Sequence, residues 1–168
     1  ETVRKELVVL RRALFTARDR GRLLGDPRAL IPQFRVRYIP RERFLTETEL
    51  GCLLAALPPE RRLWVLMAVF TGGRSSEVEA VRWEHVDFDQ LRILLPGTKT
   101  SKSRRYVPMA EPLLEALAPL QRAVGAVLKP WQNVRRDLDV AAKAVGIEHV
   151  TPNDLRRTFA SWLKQRGI

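Results

Sequence analysis

The sequence predicts an α+β fold that is mainly helical with one small antiparallel β-hairpin. Apolar residues recur every three or four positions over most of the 168 residues, which is the period of helices packed on one face. Residues 91–107 break this period: apolar runs lie on both sides of a polar turn that begins at Pro96-Gly97, as in two paired strands. Hydrophobic residues make up 45% of the chain, so a folded core is expected.

The first 43 residues divide into an amphipathic helix and an extended segment. Apolar residues spaced four, three and four apart, from Val3 to Leu14, predict a helix that ends near residues 21–25. Residues 25–43 contain three prolines and no helical period, which predicts a linker without a second helix. We therefore expect three parts: a helix that ends a preceding domain (1–24), the linker (25–43) and the main domain (44–168).

Three consecutive helices are predicted next, and the middle one is buried. Thr46 and Glu49 form a capping box that opens one helix, which Pro58-Pro59 ends. Residues 60–70 are apolar nearly all round, which is typical of a central buried helix. Thr71-Gly72-Gly73 breaks that helix, and a short helix follows through residues 76–81.

The second half of the chain carries the hairpin and three further helices. The strands are Leu91–Leu95 and Arg105–Val107. Helical periods follow over residues 113–120 and, with Gly146 as the cap, from Trp131 to Val145. Thr151, Pro152 and Asp154 have the residue types of the N-cap, first position and first turn of a last helix.

The net charge is +11, which indicates a polyanionic partner, most often nucleic acid, with an anionic membrane as the rival. Basic residues concentrate at 1–44, 98–109 and 151–168. The sequence contains no apolar stretch of membrane-spanning length and no signal peptide, so a cytoplasmic protein without membrane contact is expected. One cysteine and two distant histidines predict no disulfide framework and no zinc site.

Two basic positions stand out for phosphate chemistry. Arg74 follows the Gly-Gly break, where a guanidinium and free backbone N–H groups can meet an anion. Lys99 lies in the hairpin turn, with Lys102, Arg104 and Arg105 close by and no acidic residue from 98 to 109. Taken singly, each is better explained as a solvated surface charge.

Three separated motifs change that balance. T-G-G-R-S-S-E-V, T-K-T-S-K-S-R-R-Y-V-P-M and T-P-N-D-L-R-R-T-F-A-S-W-L follow one another in the order found in the tyrosine recombinase (phage integrase) catalytic domain, which residues 44–168 resemble. Residues 1–24 resemble the last helix of that family's N-terminal core-binding domain. The resemblance implies that both ends of the chain are incomplete.

The resemblance also implies residue roles. Arg74 and Arg156 would clamp the scissile phosphate, Lys99 would assist the departing 5′-hydroxyl, and Glu77 would support the first arginine. Planar guanidinium groups stabilise the charge that builds on the phosphate oxygens, so no metal or other cofactor is expected. In the family a tyrosine attacks the phosphodiester and forms a 3′-phosphotyrosyl link. DNA contacts are expected from Lys102, Arg104, Arg105 and Arg157.

The chain departs from the family pattern at two places. Asn153 stands where the family has a histidine, and an amide cannot act as a general base, although it can bind a phosphate oxygen. The family's nucleophilic tyrosine is expected beyond residue 168, because neither Tyr38 nor Tyr106 matches its position. We interpret Tyr106 as a packing residue and expect the chain to be inactive alone.

Three hypotheses follow. The first is the core of a DNA integrase or site-specific recombinase that acts on double-stranded DNA and assembles as a tetramer in the full-length protein. The second is a non-catalytic DNA-binding module that retains the recombinase fold. The third is a basic helical protein that binds RNA or a membrane surface, which no aromatic-rich ribonucleoprotein motif supports.

Overall fold

The computed structural model describes residues 2–31, 41–97 and 104–168. The chain divides into two compact units, Glu1–Arg41 and Glu42–Ile168. Lys99 and Lys102 of the predicted hairpin lie outside the described residues, as does Tyr38. No helix in the described ranges is both long and apolar enough to cross a membrane.

The smaller unit contains the predicted amphipathic helix, α1 (Thr2–Asp19), and a single helical turn, α2 (Pro27–Leu30). The prediction that no second helix follows α1 was wrong. The Asp26 side chain accepts a hydrogen bond from the Arg28 N–H (2.9 Å), and Pro27 occupies the first helical position. A proline at the first helical position loses no hydrogen bond, because its missing N–H would have no partner within the helix. Pro27, which we interpreted as part of a linker, therefore begins a helix.

In its described part, the larger unit is mainly helical with one small antiparallel sheet, which confirms the predicted fold class. Its helices are α3 (Glu47–Ala56), α4 (Pro59–Thr71), α5 (Ser75–Glu79), α6 (Glu111–Leu117), α7 (Val134–Ala144) and α8 (Pro152–Gln165), and its strands are β1 (Val86–Asp87), β2 (Arg92–Leu95) and β3 (Arg105–Pro108). Short 3-10 turns occupy Trp83–His85 and Ala118–Leu120.

The sheet has the order β1-β2-β3, with all neighbours antiparallel. The hairpin of β2 and β3 was predicted, and the two-residue strand β1 adds to it. Leu95 of β2 pairs with Arg105 of β3, and Ile93 pairs with Val107. This register fixes the face of the sheet from which Arg105 projects.

The helix predicted from Trp131 begins only at Val134. Trp131 lies before it and is held by its indole N–H, which donates to Asp137 (2.8 Å). Its ring meets Trp64 edge-on, with the two centroids 5.4 Å apart. Trp131 therefore packs in the core, as its apolar period indicated, but from a loop.

Helix α4 lies at the centre of the core, as predicted. Seven of its thirteen residues are buried: Leu63, Trp64, Val65, Met67, Ala68, Val69 and Thr71. The helix ends at Gly72, whose left-handed backbone (φ 58°) turns the chain sharply towards α5. Helix α8 packs against α4 and brings Arg156 to this turn.

Two side chains of α8 also hold the backbone that leads into α3. The Leu45 N–H donates to the Thr158 hydroxyl (2.9 Å), and the Leu45 carbonyl accepts from the indole N–H of Trp162 (3.0 Å). Thr158 in turn donates to the Asp154 carbonyl (2.8 Å). Both Leu45 and Thr158 are fully buried, so these bonds replace water that cannot reach the groups.

We expect Thr158→Val to lower the free energy of unfolding by about 1–3 kcal/mol, because the buried Leu45 N–H loses its acceptor. Thr158→Ser is the matched control, since it keeps the hydroxyl and loses only a methyl group. Urea denaturation of both variants measures the difference. A loss in Thr158→Ser with none in Thr158→Val would show that the methyl group, rather than the hydrogen bond, matters.

Candidate functional site

The candidate site begins at the turn between α4 and α5. A Cβ atom on Gly72 would lie 2.9 Å from Cγ of Phe159, and one on Gly73 would lie 2.7 Å from Cγ2 of Val78. Both distances are too short for a side chain, so two glycines are required for the chain to pass here. The turn places Arg74 at the N-cap position of α5.

The Glu77 carboxylate is fully buried beneath this turn. One oxygen, Oε1, accepts from the Arg74 guanidinium (2.7 Å), and the other, Oε2, accepts from the Arg74 backbone N–H (3.1 Å). Glu77 therefore fixes both the start of α5 and the direction of the Arg74 side chain.

Arg156 reaches the same turn from α8. Its Nη1 donates to the Gly72 carbonyl (2.8 Å) and lies 3.8 Å from Glu77 Oε2. The structure thus brings together Arg74, Glu77 and Arg156, although up to 82 residues separate them in the sequence.

Arg105 joins this group from β3. Its Nη2 lies 3.3 Å from Glu77 Oε2 and 3.4 Å from the Gly72 carbonyl oxygen. Sequence reasoning assigned Arg105 to DNA contact and did not pair it with Glu77. The spacing of 28 residues carries no local signal for such a pair.

The charges of the group shift two pKa values. Burial raises the pKa of the Glu77 carboxyl, but the Arg74 hydrogen bonds and the charges of Arg105 and Arg74 lower it more, so it lies below its usual value. Burial and then the positive charge of Arg74 lower the pKa of Arg156, and Arg105 adds to this, while Glu77 opposes it. Arginine remains protonated all the same.

The guanidinium groups remain accessible to solvent. The side chains of Arg74, Arg105 and Arg156 are 49%, 34% and 38% exposed. A cavity of about 410 Å³ opens beside Arg105 and Arg156, with Tyr106 and Phe159 also in its lining. Crowded like charges facing an open cavity favour an anion as the ligand.

Three other predicted site residues lie within the described ranges. Asn153 is exposed in the first turn of α8, and Arg104 is exposed just before β3. Arg157 donates to the buried carboxylate of Asp154 (2.9 Å). His149 precedes α8 and lies 2.6 Å from Asp139. The described part of the chain contains no group of three or more His, Cys, Asp or Glu side chains arranged to hold a metal ion.

The interpretation of Tyr106 as a packing residue was wrong. Its side chain is 56% exposed, and the Arg92 guanidinium lies over its ring, 4.3 Å from the centroid. Alternation along β3 explains this, because Arg105 and Val107 share one face and Tyr106 projects from the other.

Comparison with known proteins identifies the family. The model of the phage integrase family matches residues 43–168, three quarters of the chain. The chain belongs to the phage integrase family. This confirms the predicted resemblance to tyrosine recombinases. The matched region, residues 43–168, includes Arg74, Glu77, Arg105 and Arg156.

Two curated relatives of this chain are tyrosine recombinases. It is 30% identical to the tyrosine recombinase XerA of Pyrococcus furiosus, over 74% of this chain and 49% of that protein. XerA of Thermococcus kodakarensis is also 30% identical, over 77% and 52%. The chain spans about half the length of these curated relatives.

Solved structures share the fold. The crystal structure of XerA recombinase matches with a TM-score of 0.65 and 25% identity, covering 86% of this chain and 57% of that one. The Tn1549 transposon integrase, solved in complex with circular intermediate DNA, matches with a TM-score of 0.69 and covers 99% and 67%. Its identity is 15%, so this likeness shows the fold alone.

Proposed function

We propose that this chain is the DNA-binding core of a site-specific recombinase, in which Arg74 and Arg156 hold the scissile phosphate during strand cleavage and rejoining. The observation that carries this is their convergence: both guanidinium groups contact Glu77, one at each carboxylate oxygen. They reach it from different helices and stay accessible to solvent.

The chemistry of phosphoryl transfer explains why such an arrangement suits this reaction. Negative charge grows on the non-bridging oxygens as the attacking oxygen bonds to phosphorus, and fixed guanidinium donors stabilise it without reorganising. Glu77 fixes Arg74, and the Gly72 carbonyl fixes Arg156, so both donors are preorganised. We assign Lys99 to the departing 5′-hydroxyl, and Lys102, Arg104 and Arg157 to contacts with the DNA backbone.

Double-stranded DNA is the proposed partner. The net charge of +11 supports it, and so do the complexes in which similar proteins were solved. One is the Tn1549 transposon integrase in complex with circular intermediate DNA, and another is the XerH recombinase bound to a palindromic difH substrate. We further propose the division into residues 1–24, 25–43 and 44–168, and assembly of the full-length protein as a tetramer on DNA.

Strand cleavage requires a nucleophile, and the family supplies a tyrosine. Tyr106 lies on the exposed face of β3 against Arg92, so we do not assign it this role. The proposal therefore includes a tyrosine encoded after residue 168, without which residues 1–168 bind but do not cleave.

We expect Arg74→Ala and Arg156→Ala each to weaken binding of a duplex containing the cleavage site by about tenfold, since one charge-assisted contact is worth about 1.5 kcal/mol or more. Arg122→Ala is the matched control. Arg122 is exposed beside Leu63 and Pro59, near the start of α4, whereas Gly72 ends that helix about 20 Å away. Fluorescence anisotropy at fixed ionic strength measures the affinities.

Salt dependence tests whether the chain holds its partner through phosphate groups. Affinity for duplex DNA should fall linearly with the logarithm of salt concentration, because phosphate contacts release counterions. Loss of affinity in Arg122→Ala equal to that in the two site variants would refute the clamp assignment. Binding that does not respond to salt would refute the DNA proposal itself.

Asn153 favours a second candidate, a DNA-binding module that does not cleave, because the family's histidine is absent from this exposed position. The coding sequence downstream of Ile168 distinguishes the two. A reading frame that continues to a tyrosine in the family's sequence context supports the recombinase, and an in-frame stop supports the module.

A further inference from the structure

Arg105 occupies a place that strand pairing fixes. It is the first residue of β3 and pairs with Leu95, which is fully buried at the end of β2. Arg105 shares its face of the sheet with the buried Val107, so its side chain starts on the covered face. From this face the Arg105 side chain extends past the turn at Gly72, and 34% of it is exposed.

The contacts of Arg105 duplicate those of Arg156. Both guanidinium groups approach the same two oxygen atoms, the Gly72 carbonyl and Glu77 Oε2. Arg156 is closer to the carbonyl (2.8 Å against 3.4 Å), and Arg105 is closer to the carboxylate (3.3 Å against 3.8 Å). Each therefore takes the acceptor that the other reaches less well.

We infer that Arg105 is a positioning residue of the phosphate site: it holds Glu77 Oε2 and the Gly72 carbonyl together and so fixes Arg156 relative to Arg74. This inference rests on the proposed function. Without Arg105, Oε2 keeps the Arg74 N–H at 3.1 Å, but its remaining guanidinium neighbour is 3.8 Å away. Arg156 would keep its hydrogen bond to the Gly72 carbonyl and its 3.8 Å contact with Oε2, but Arg105 would no longer tie these two acceptors to each other.

Arg105 also sets the charge of the site. Among the described residues, three arginines surround one glutamate, which leaves two positive charges in excess. A phosphodiester carries one negative charge and gains a second when an ionised hydroxyl adds to phosphorus. With Arg105 the excess matches the charge of that five-coordinate species, and without it the excess matches only the ground state.

Arginine side-chain NMR tests the inference on the whole chain. In ¹⁵N-labelled protein without any added anion, Arg105→Ala should move or broaden the Arg156 Nε–Hε signal, and Arg122→Ala should leave it in place. Titration with inorganic phosphate should show affinity at Arg74 and Arg156 that falls about tenfold in Arg105→Ala, the loss of one charge-assisted contact. The change in Arg122→Ala should be less than twofold.

Arg105→Lys distinguishes positioning from charge alone. Because lysine can keep an ion pair with Glu77, this variant also tests the inference if Arg105→Ala does not fold. An ammonium is a point charge without the planar fork that spans two acceptors, so lysine should restore only part of the phosphate affinity. Full restoration by lysine, or an Arg156 signal that Arg105→Ala does not change, overturns the inference. If phosphate does not shift the Arg74 and Arg156 signals of the wild-type protein, the proposed function is refuted instead. The two outcomes are distinguishable because the spectra recorded without anion test the role of Arg105 separately.

Discussion

Replacing Gly72 with alanine is expected to lower the free energy of unfolding by about 2–5 kcal/mol, which combines a left-handed backbone with overpacking. The backbone φ of Gly72 is 58°, and a Cβ atom would lie 2.9 Å from Cγ of Phe159. Phe159 packs against the core from α8, so we expect the clash to displace that helix. The same displacement carries Arg156 away from the Gly72 carbonyl, and anion binding should fall together with stability.

Gly146→Ala is the control that isolates the contact with Phe159. Gly146 also has a left-handed backbone (φ 69°), but a Cβ atom there meets nothing within 4 Å. Its substitution should therefore cost only the conformational part, about 1–2 kcal/mol. Urea denaturation of the two variants gives the comparison, and equal losses would show that Phe159 does not constrain position 72.

Glu77→Gln is expected to destabilise the protein by about 2–4 kcal/mol, less than for a wholly buried ion pair because its partners are a third to a half exposed. The substitution preserves shape but removes the negative charge that Arg74, Arg105 and Arg156 share. Their mutual repulsion then remains, and the amide cannot accept hydrogen bonds at both of its terminal atoms. Thermal unfolding at neutral pH measures the loss, with Glu79→Gln, an exposed residue of the same helix, as the control.

The loss should depend on pH in a defined direction. The pKa of Glu77 is lower in the folded protein than its usual value of 4.5, so the carboxylate stabilises the fold above that pH. This contribution disappears as the pH falls through the lowered folded value. The gap between wild type and Glu77→Gln should be constant from pH 6 to 8 and should narrow progressively as the pH falls below about 4.5 towards the lowered folded pKa. A gap that does not narrow on acidification would contradict the assigned charge.

The sequence predicts the structure well wherever the signal is local. The capping box of α3 and the N-cap of α8 were predicted from Thr46 with Glu49 and from Thr151 with Asp154, residues three positions apart. The turn at Gly72-Gly73 and the hairpin strands were likewise predicted from adjacent residues. The short helix α2 was missed because its Asp26-Pro27 start lies among prolines that also suit an extended linker.

The candidate site shows where such reasoning ends. Family motifs identified Arg74, Glu77 and Arg156 as residues, but only the fold shows that one carboxylate oxygen lies between Arg105 and Arg156. The position of Arg105 depends on strand register and on the packing of α8 against α4, which no spacing encodes. Tyr106 was misjudged for a related reason, because a strand of four residues gives too short an alternation to assign its faces.

The bonds between α8 and Leu45 give this protein a built-in reporter. The amide proton of Leu45 is buried and bonded to Thr158, so it exchanges with deuterium only when α8 opens away from the segment before α3. The same helix carries Arg156. The exchange rate of one proton therefore reports how often this segment and α8, which carries Arg156, separate from each other.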